Sequence, residues 1–203
     1  EAQAVPLPDG VDLATGAVLG IPGLTACQTV FGGGDVAGQT LLISGGAGAV
    51  GHIAVQLAKW GGATVIATCS KGAEARVRAA GADHVLEYRD PDLTARIMEI
   101  TGGRGVNRAV EVEFGENIAV LPEVVAPLGT IAVYGSGKQM APTLPFGAYL
   151  FKALKIDITL IYILPDAARD AAIATLHKTL QVGALRPVIG ARYALADCAV
   201  APV

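Results

Sequence analysis

Charge is scarce in this chain of 203 residues: only 16% of its side chains are Asp, Glu, Lys or Arg, where about 25% is usual. Fifteen Lys and Arg stand against eighteen Asp and Glu, the net charge is −3, and no basic run occurs. A nucleic-acid partner requires a basic face to neutralise phosphates, so none is expected. Cysteine is sparse too. Cys27, Cys69 and Cys198 are too widely spaced for a C-x-x-C zinc knuckle or a disulfide framework, which points to a reducing, cytoplasmic setting. His52, His84 and His177 are scattered far from any cysteine or other histidine, so no metal is expected.

What the chain has instead is apolar material, 52% of its residues, enough to bury a core. Two stretches, Leu13 to Gly34 and Val36 to Ala58, carry no charge at all. Neither suits a membrane helix. Pro22 and the Gly32-Gly33-Gly34 run break the first, and five glycines with Gln39, Ser44, His52 and Gln56 break the second, leaving polar groups that hydrocarbon cannot satisfy. Residue 1 is Glu and no basic segment precedes an apolar one, so no signal peptide is read, and an excerpt or a processed piece of a longer chain is expected.

From Thr40 onward short aliphatic runs alternate with amphipathic ones, the pattern of β-α-β units. The spacing predicts strands at Thr40 to Ser44, Thr64 to Thr68, His84 to Glu87, Arg108 to Val112, Thr130 to Tyr134 and Asp157 to Ile161. Helices are predicted at Val50 to Trp60, Ala73 to Ala80, Pro91 to Thr101, Glu116 to Ala126, Phe146 to Leu154 and Asp166 to Val182. Right-handed crossovers then give an α/β fold with a doubly wound parallel sheet, a Rossmann fold of six strands in the order 3-2-1-4-5-6, with ligand at the carboxyl ends. Ahead of the sheet, helical turns from Asp12 are predicted to break at Pro22-Gly23 and resume from Leu24 to Phe31. Behind it, Val188 to Gly190 reads as a short strand and Leu195 to Ala201 as a helix start. Residues 1–34 are expected to be a lead-in, 35–165 the nucleotide-binding domain, and 166–203 a final helix with a partial return.

Ser44-Gly45-Gly46-Ala47-Gly48-Ala49-Val50-Gly51 follows Leu41-Leu42-Ile43 and precedes a helix. Gly46, Gly48 and Gly51 satisfy G-x-G-x-x-G in the strand-turn-helix context that the motif requires. Gly46 is expected to allow the tight turn, Gly48 close approach of a pyrophosphate, and Gly51 helix-on-strand packing, while the helix N-terminus offers N–H groups to the anion. The plainer alternative is an ordinary glycine-rich turn. An NAD site normally ends its second strand in a carboxylate. Here Thr68 runs into Cys69-Ser70-Lys71, a hydroxyl and an ammonium suited to a 2′-phosphate, so NADPH is favoured over NADH; Lys71 equally fits a solvated loop. Tyr134-Gly135-Ser136-Gly137-Lys138 spells Y-x-x-x-K, but its glycines oppose the helix that this pair requires. Its backbone is expected beside the dinucleotide.

Several segments resemble the zinc-independent medium-chain dehydrogenase/reductases, and among them NADPH:quinone oxidoreductases of the zeta-crystallin type. They are Gly20-Ile21-Pro22-Gly23-Leu24-Thr25-Ala26, Gly45 to Gly51, Gly81-Ala82-Asp83-His84-Val85, Tyr88-Arg89, Thr101-Gly102-Gly103-Arg104-Gly105-Val106, Gly129 to Gly135, and Arg186-Pro187-Val188-Ile189-Gly190. The resemblance implies pyrophosphate contacts at Ala47, Gly48, Ala49 and Val50, adenosine-phosphate contacts at Cys69, Ser70 and Lys71, and Tyr88 beside the adenine ribose. It places Val133, Tyr134, Gly135, Ser136, Ile158, Thr159 and Leu160 along the nicotinamide half, with Thr25 nearby; Val133 and Ile158 serve equally as strand residues. The family's lysine after strand two is replaced by Ala73, with Lys71 as its substitute. Ile21 stands where zinc-dependent relatives carry a metal-binding cysteine, and Cys27 where the family often has an aromatic residue.

Such relatives pass hydride from NADPH to a quinone or other activated enone, with much of the substrate pocket on an N-terminal domain, so no catalytic residue is assigned within this chain. They commonly pair through an edge strand, which implies a homodimer. The apolar run Ile156 to Leu164 permits that pairing and equally fits a core strand. An enoyl reductase module of a polyketide-type synthase, which Thr101 to Val106 also fits, and a non-catalytic nucleotide-binding protein of crystallin type are the alternatives.

Overall fold

A computed structural model describes residues 4–200. Its elements, in chain order, are α1 (Leu13–Ala17), α2 (Gly20–Phe31), β1 (Thr40–Ile43), α3 (Ala49–Trp60), β2 (Thr64–Cys69), α4 (Glu74–Ala79), β3 (His84–Glu87) and α5 (Leu93–Ile100). There follow β4 (Val106–Glu111), α6 (Phe114–Asn117), α7 (Leu121–Val124), β5 (Val125–Val133), α8 (Phe146–Phe151), β6 (Lys155–Ile158) and α9 (Asp166–Gln181). The six strands form one parallel sheet in the order β3-β2-β1-β4-β5-β6, the order that right-handed crossovers require.

Alternate residues of the central strands feed two cores, because successive side chains of a strand point to opposite faces. Leu41, Ile43, Val65 and Ala67 join Ala26 and Val30 of α2, Leu57 of α3 and Leu176 of α9 on one face. Leu42, Ile66, Ala109 and Ile131 join Ile97 of α5, Leu121 of α7 and Tyr149 of α8 on the other. Helices on both faces explain why these strands read as continuous apolar runs rather than alternating ones.

Several local expectations are corrected. The chain does not break at Pro22-Gly23: α2 runs through both residues, since Pro22 lies in the first helical turn, where a backbone N–H has no intrahelical partner anyway. Gly23 lets α9 come close, for a β-carbon there would meet Leu176 at 3.3 Å. The helix expected from Glu116 to Ala126 is two short helices, α6 and α7, with Pro122 in the first turn of α7. Pro122 cannot donate to the carbonyl of Ile118, which instead accepts the Tyr149 hydroxyl at 2.8 Å. The strand expected at Thr130 to Tyr134 begins earlier, at Val125, and shifts register where Leu128 adopts a positive φ of 64°. The sixth strand lies at 155–158 rather than 157–161, and Ile161–Ile163 form a turn of 3-10 helix. No strand forms at Val188 to Gly190. Leu195–Val200 is 3-10 helix, and Ala201, the last residue of the expected helix start, lies outside the described residues.

Candidate functional site

All six strands point the same way, so their carboxyl ends form one rim, and β1 and β4 at its centre mark where the strand order reverses. The turn from β1 into α3 rises at this point. Ser44 N–H reaches Val110 across the β1–β4 seam at 2.9 Å, and Gly46 N–H reaches Thr68 of β2 at 2.7 Å, so the turn is tied to both neighbouring strands. The positive φ that closes the turn falls on Gly45, at 69°, and not on Gly46 as the sequence suggests. Gly46 is required for packing: a β-carbon there would come within 3.0 Å of Ala67 and 3.1 Å of Val77. Gly51 is the most constrained of the three. Its β-carbon would overlap the Gly45 carbonyl oxygen, stand 2.7 Å from the carbonyl carbon, and lie 3.0 Å from the α-carbon of Gly46.

Gly48 caps α3 and its N–H is spent on Gly45 at 2.9 Å. The N–H groups of Ala49, Val50 and Gly51 belong to the first turn of a twelve-residue helix, where a helix leaves its donors without intrahelical partners and carries a partial positive charge. They suit an anion. A cleft of about 590 Å³ opens against this turn. Ala47, Gly48, Ala49 and His52 form one wall, Ile21 and Pro22 of α2 another, and Pro187 and Val188 of the tail a third. The tail is held there by Gln56 of α3, whose carboxamide accepts from Arg186 N–H at 2.8 Å and donates to Arg186 C=O at 3.3 Å.

The remaining residues named from the sequence lie along the same rim but outside this cleft. Cys69 ends β2 and is buried, its thiol pushed up by burial and by the charges of Glu74 and Glu87. Ser70 and Lys71 are exposed on the following turn, where Gly72 N–H is capped by the Glu74 carboxylate at 2.8 Å. The Glu74 carboxylate, at the first residue of α4, thus caps the turn that follows β2. Tyr88, beyond β3, is half exposed and stacked under the Arg89 guanidinium at 5.1 Å. Val133 ends β5 and is buried; Tyr134 N–H bonds to Glu111 at 3.0 Å, and Gly135 allows an approach to the Val112 carbonyl that a β-carbon would close to 2.5 Å. Ser136 bridges Glu113, and its hydroxyl accepts from Gly115 N–H at 2.8 Å. Ile158 is exposed at the end of β6, the Thr159 hydroxyl is buried with no partner, and Leu160 is half exposed. Thr25 donates its hydroxyl to Ile21 C=O at 2.8 Å, inside its own helix. Cys27 lies in the α2–α9 core, its thiol 3.7 Å from Ala172 C=O and pushed up to about 11 by burial.

Three functional candidates escaped the sequence reading. Arg76 of α4 donates to the carbonyl of Ala47 on the glycine turn. His52 is buried with Nδ1 unpartnered, and its basicity is lowered by burial and by Arg76, against a smaller opposing effect of the Gly46 backbone. Glu111 ends β4 fully buried. Burial raises its pKa, opposed by bonds from Glu113 N–H, Asn117 and Ser44. An acid inside an apolar strand, Ala109-Val110-Glu111-Val112, is the signal that could have found it. Among the described residues no three His, Cys, Asp or Glu side chains come together as a metal site requires.

A family model described as zinc-binding dehydrogenase matches residues 49–177, from the start of α3 into α9. The chain belongs to that family. Among zinc-binding dehydrogenases it is similar to the quinone oxidoreductase of Homo sapiens, 27% identical over 191 residues that cover 93% of this chain and 57% of the human protein. It thus spans little more than half the length of the curated relatives it matches. It superposes on quinone oxidoreductase of Pseudomonas syringae with a TM-score of 0.85 at 26% identity, covering 97% of this chain and 62% of that one. A mycobacterial protein, Rv1454c, solved in complex with NADPH, superposes equally well, at 0.85 and 27% identity, over 95% of this chain and 62% of that one. The fold is therefore the Rossmann-type nucleotide-binding domain of medium-chain dehydrogenase/reductases, and its relatives are oxidoreductases.

Proposed function

We propose that this chain binds NADPH across the β1–α3 turn and serves as the cofactor half of an oxidoreductase acting on a quinone or another activated enone. The observation that carries the proposal is the turn itself. Gly51 has no room for a β-carbon, and the helix-end N–H groups begin at Ala49, which lines an open cleft. The cofactor supplies hydride from nicotinamide C4. What this chain contributes is placement: Ala49, Val50 and Gly51 would hold the diphosphate, Ser70 and Lys71 the 2′-phosphate, and Tyr88 the adenosine. The apolar cleft wall of Ile21, Pro22, Pro187 and Val188 suits a planar, uncharged acceptor.

Lys71 is exposed and, among the described residues, forms no ion pair, so its ammonium is available to a phosphate. Isothermal titration is expected to show NADPH binding tighter than NADH. Lys71→Ala should lose about two- to fivefold in NADPH affinity, the scale of an exposed ion pair, and leave NADH unchanged. Tighter NADH binding in the wild type would remove the NADPH assignment, and steady-state assay with a benzoquinone tests turnover.

We also propose that residues 1–34 lead in from a substrate-binding part, that 166–203 return to it, and that the protein works as a cytoplasmic homodimer. Among the described residues no helix is long and apolar enough to cross a membrane. The pairing surface is the free edge of β6 with its neighbours, where Phe151 is 89% exposed, Ile158 76% and Ile163 75%. Exposed apolar side chains near one sheet edge favour association, and an unpaired strand edge invites a second one. Sedimentation equilibrium at micromolar concentration is expected to give twice the chain mass; a monomer there would remove this part.

A further inference from the structure

We infer that Arg76 is a binding residue for the diphosphate of the dinucleotide, closing over it from the side of the turn opposite α3. The inference rests on the proposed use of this turn and adds to it a side-chain cation that the sequence motif does not contain. Helix α4 is docked on the turn through Val77, fully buried, whose methyl would lie 3.1 Å from a β-carbon on Gly46. That contact fixes the neighbouring residue, Arg76, over the loop, where its guanidinium donates to the Ala47 carbonyl. Ala47 and Arg76 then line the same cleft as Gly48, Ala49 and His52.

A guanidinium carries five donors in a planar fork suited to two phosphate oxygens. Among the described residues no carboxylate lies within 4.0 Å of this one and its only hydrogen bond is to Ala47. A bond from an exposed arginine to one carbonyl contributes little by itself, because water competes for both partners. The position gains meaning from what faces it. The first turn of α3 presents its free N–H groups from one side of the cleft and Arg76 its positive charge from another, so an anion between them meets donors on both sides. His52, in the same wall, has its basicity lowered first by burial and then by the nearby Arg76 charge.

The diphosphate is common to NADH and NADPH, and this fixes the test. Wild type, Arg76→Met and Arg76→Lys of the full chain are titrated calorimetrically with both dinucleotides, with folding checked by circular dichroism and thermal melting. Arg76→Met retains the apolar stem and is expected to weaken both ligands by the same factor, about ten- to a hundredfold for a charged hydrogen bond, while Arg76→Lys recovers part of the loss. A loss confined to NADPH would assign the cation to the 2′-phosphate and overturn the inference. So would unchanged affinity for both, which would leave Arg76 a cap on the loop. Wild type that binds neither dinucleotide would instead sink the proposed function. If Arg76→Met does not fold, the comparison is made on Arg76→Lys, where an equal loss of both ligands supports the inference and any other pattern overturns it.

Discussion

Gly51→Ala is expected to abolish dinucleotide binding, by a hundredfold or more, and to destabilise the domain by about 1–3 kcal/mol, the range for forcing a methyl into a filled site. The reason is backbone, not side chain. The added β-carbon would overlap the Gly45 carbonyl oxygen and approach the carbonyl carbon to 2.7 Å, and no rotamer change can relieve that. Either α3 withdraws from β1 or the turn opens, and both displace the N–H groups of Ala49 and Val50. Gly48→Ala is the informative partner. Gly48 has φ −76° and ψ 170°, which any residue adopts, and its β-carbon would lie 3.3 Å from Gly45 C=O. Its fold should survive within about 1 kcal/mol, as for a substitution that neither buries nor unpairs a group. Its dinucleotide affinity should still fall, because the methyl occupies the approach of the phosphate. Urea melts and titration calorimetry on both variants separate the two effects. A Gly51→Ala protein that melts and binds like the wild type would end the argument that this turn is shaped by a ligand.

The contrast between these glycines shows what was readable in the chain. That Leu41-Leu42-Ile43 is a buried strand, that glycines follow it, and that Ile53 to Trp60 form a helix are local facts, and they carried the sheet order and the turn. Which glycine takes the positive φ was not local. It depends on Gly46 being pressed between Ala67 and Val77, residues of β2 and α4. Arg76 was hidden for the same reason. Its own neighbourhood reads as an ordinary solvated helix, and only the docking of Val77 on the turn brings its guanidinium to Ala47. The helix expected over residues 116–126 is interrupted at Pro122, whose missing N–H leaves the Ile118 carbonyl without a helical donor, and it gives way to β5 at Val125. Pro22 did the reverse, because its place in the first turn of α2 makes that missing donor harmless. The cleft was legible only in part: Ala47, Gly48 and Ala49 line it, but the tail wall of Pro187 and Val188 depends on the long-range clamp between Gln56 and Arg186.

Glu111 sets the second large effect. Its side chain is 2% exposed and accepts from Glu113 N–H and from the Asn117 carboxamide at 3.0 Å, with Ser44 of the glycine turn as a further partner. Glu111→Ala removes the acceptor and leaves a void, and two half-buried donors lose their partner; a loss of about 2–4 kcal/mol is expected, most of it from the cavity. Glu111→Gln retains an acceptor oxygen of the same shape and removes the charge. Burial outweighs the hydrogen bonds and raises the carboxyl above its unfolded value of 4.5. Between those two pKa values the folded protein therefore holds more protons than the unfolded one, and stability falls as pH rises through that window. The advantage of Glu111→Gln over wild type should be smallest near pH 4 and grow as pH rises from there, by about 1.4 kcal/mol for each unit that burial raises the pKa. Urea melts of both proteins from pH 4 to pH 8 measure it. Parallel curves would mean that Glu111 titrates alike folded and unfolded, and would remove the buried carboxylate as a source of strain beneath the glycine turn.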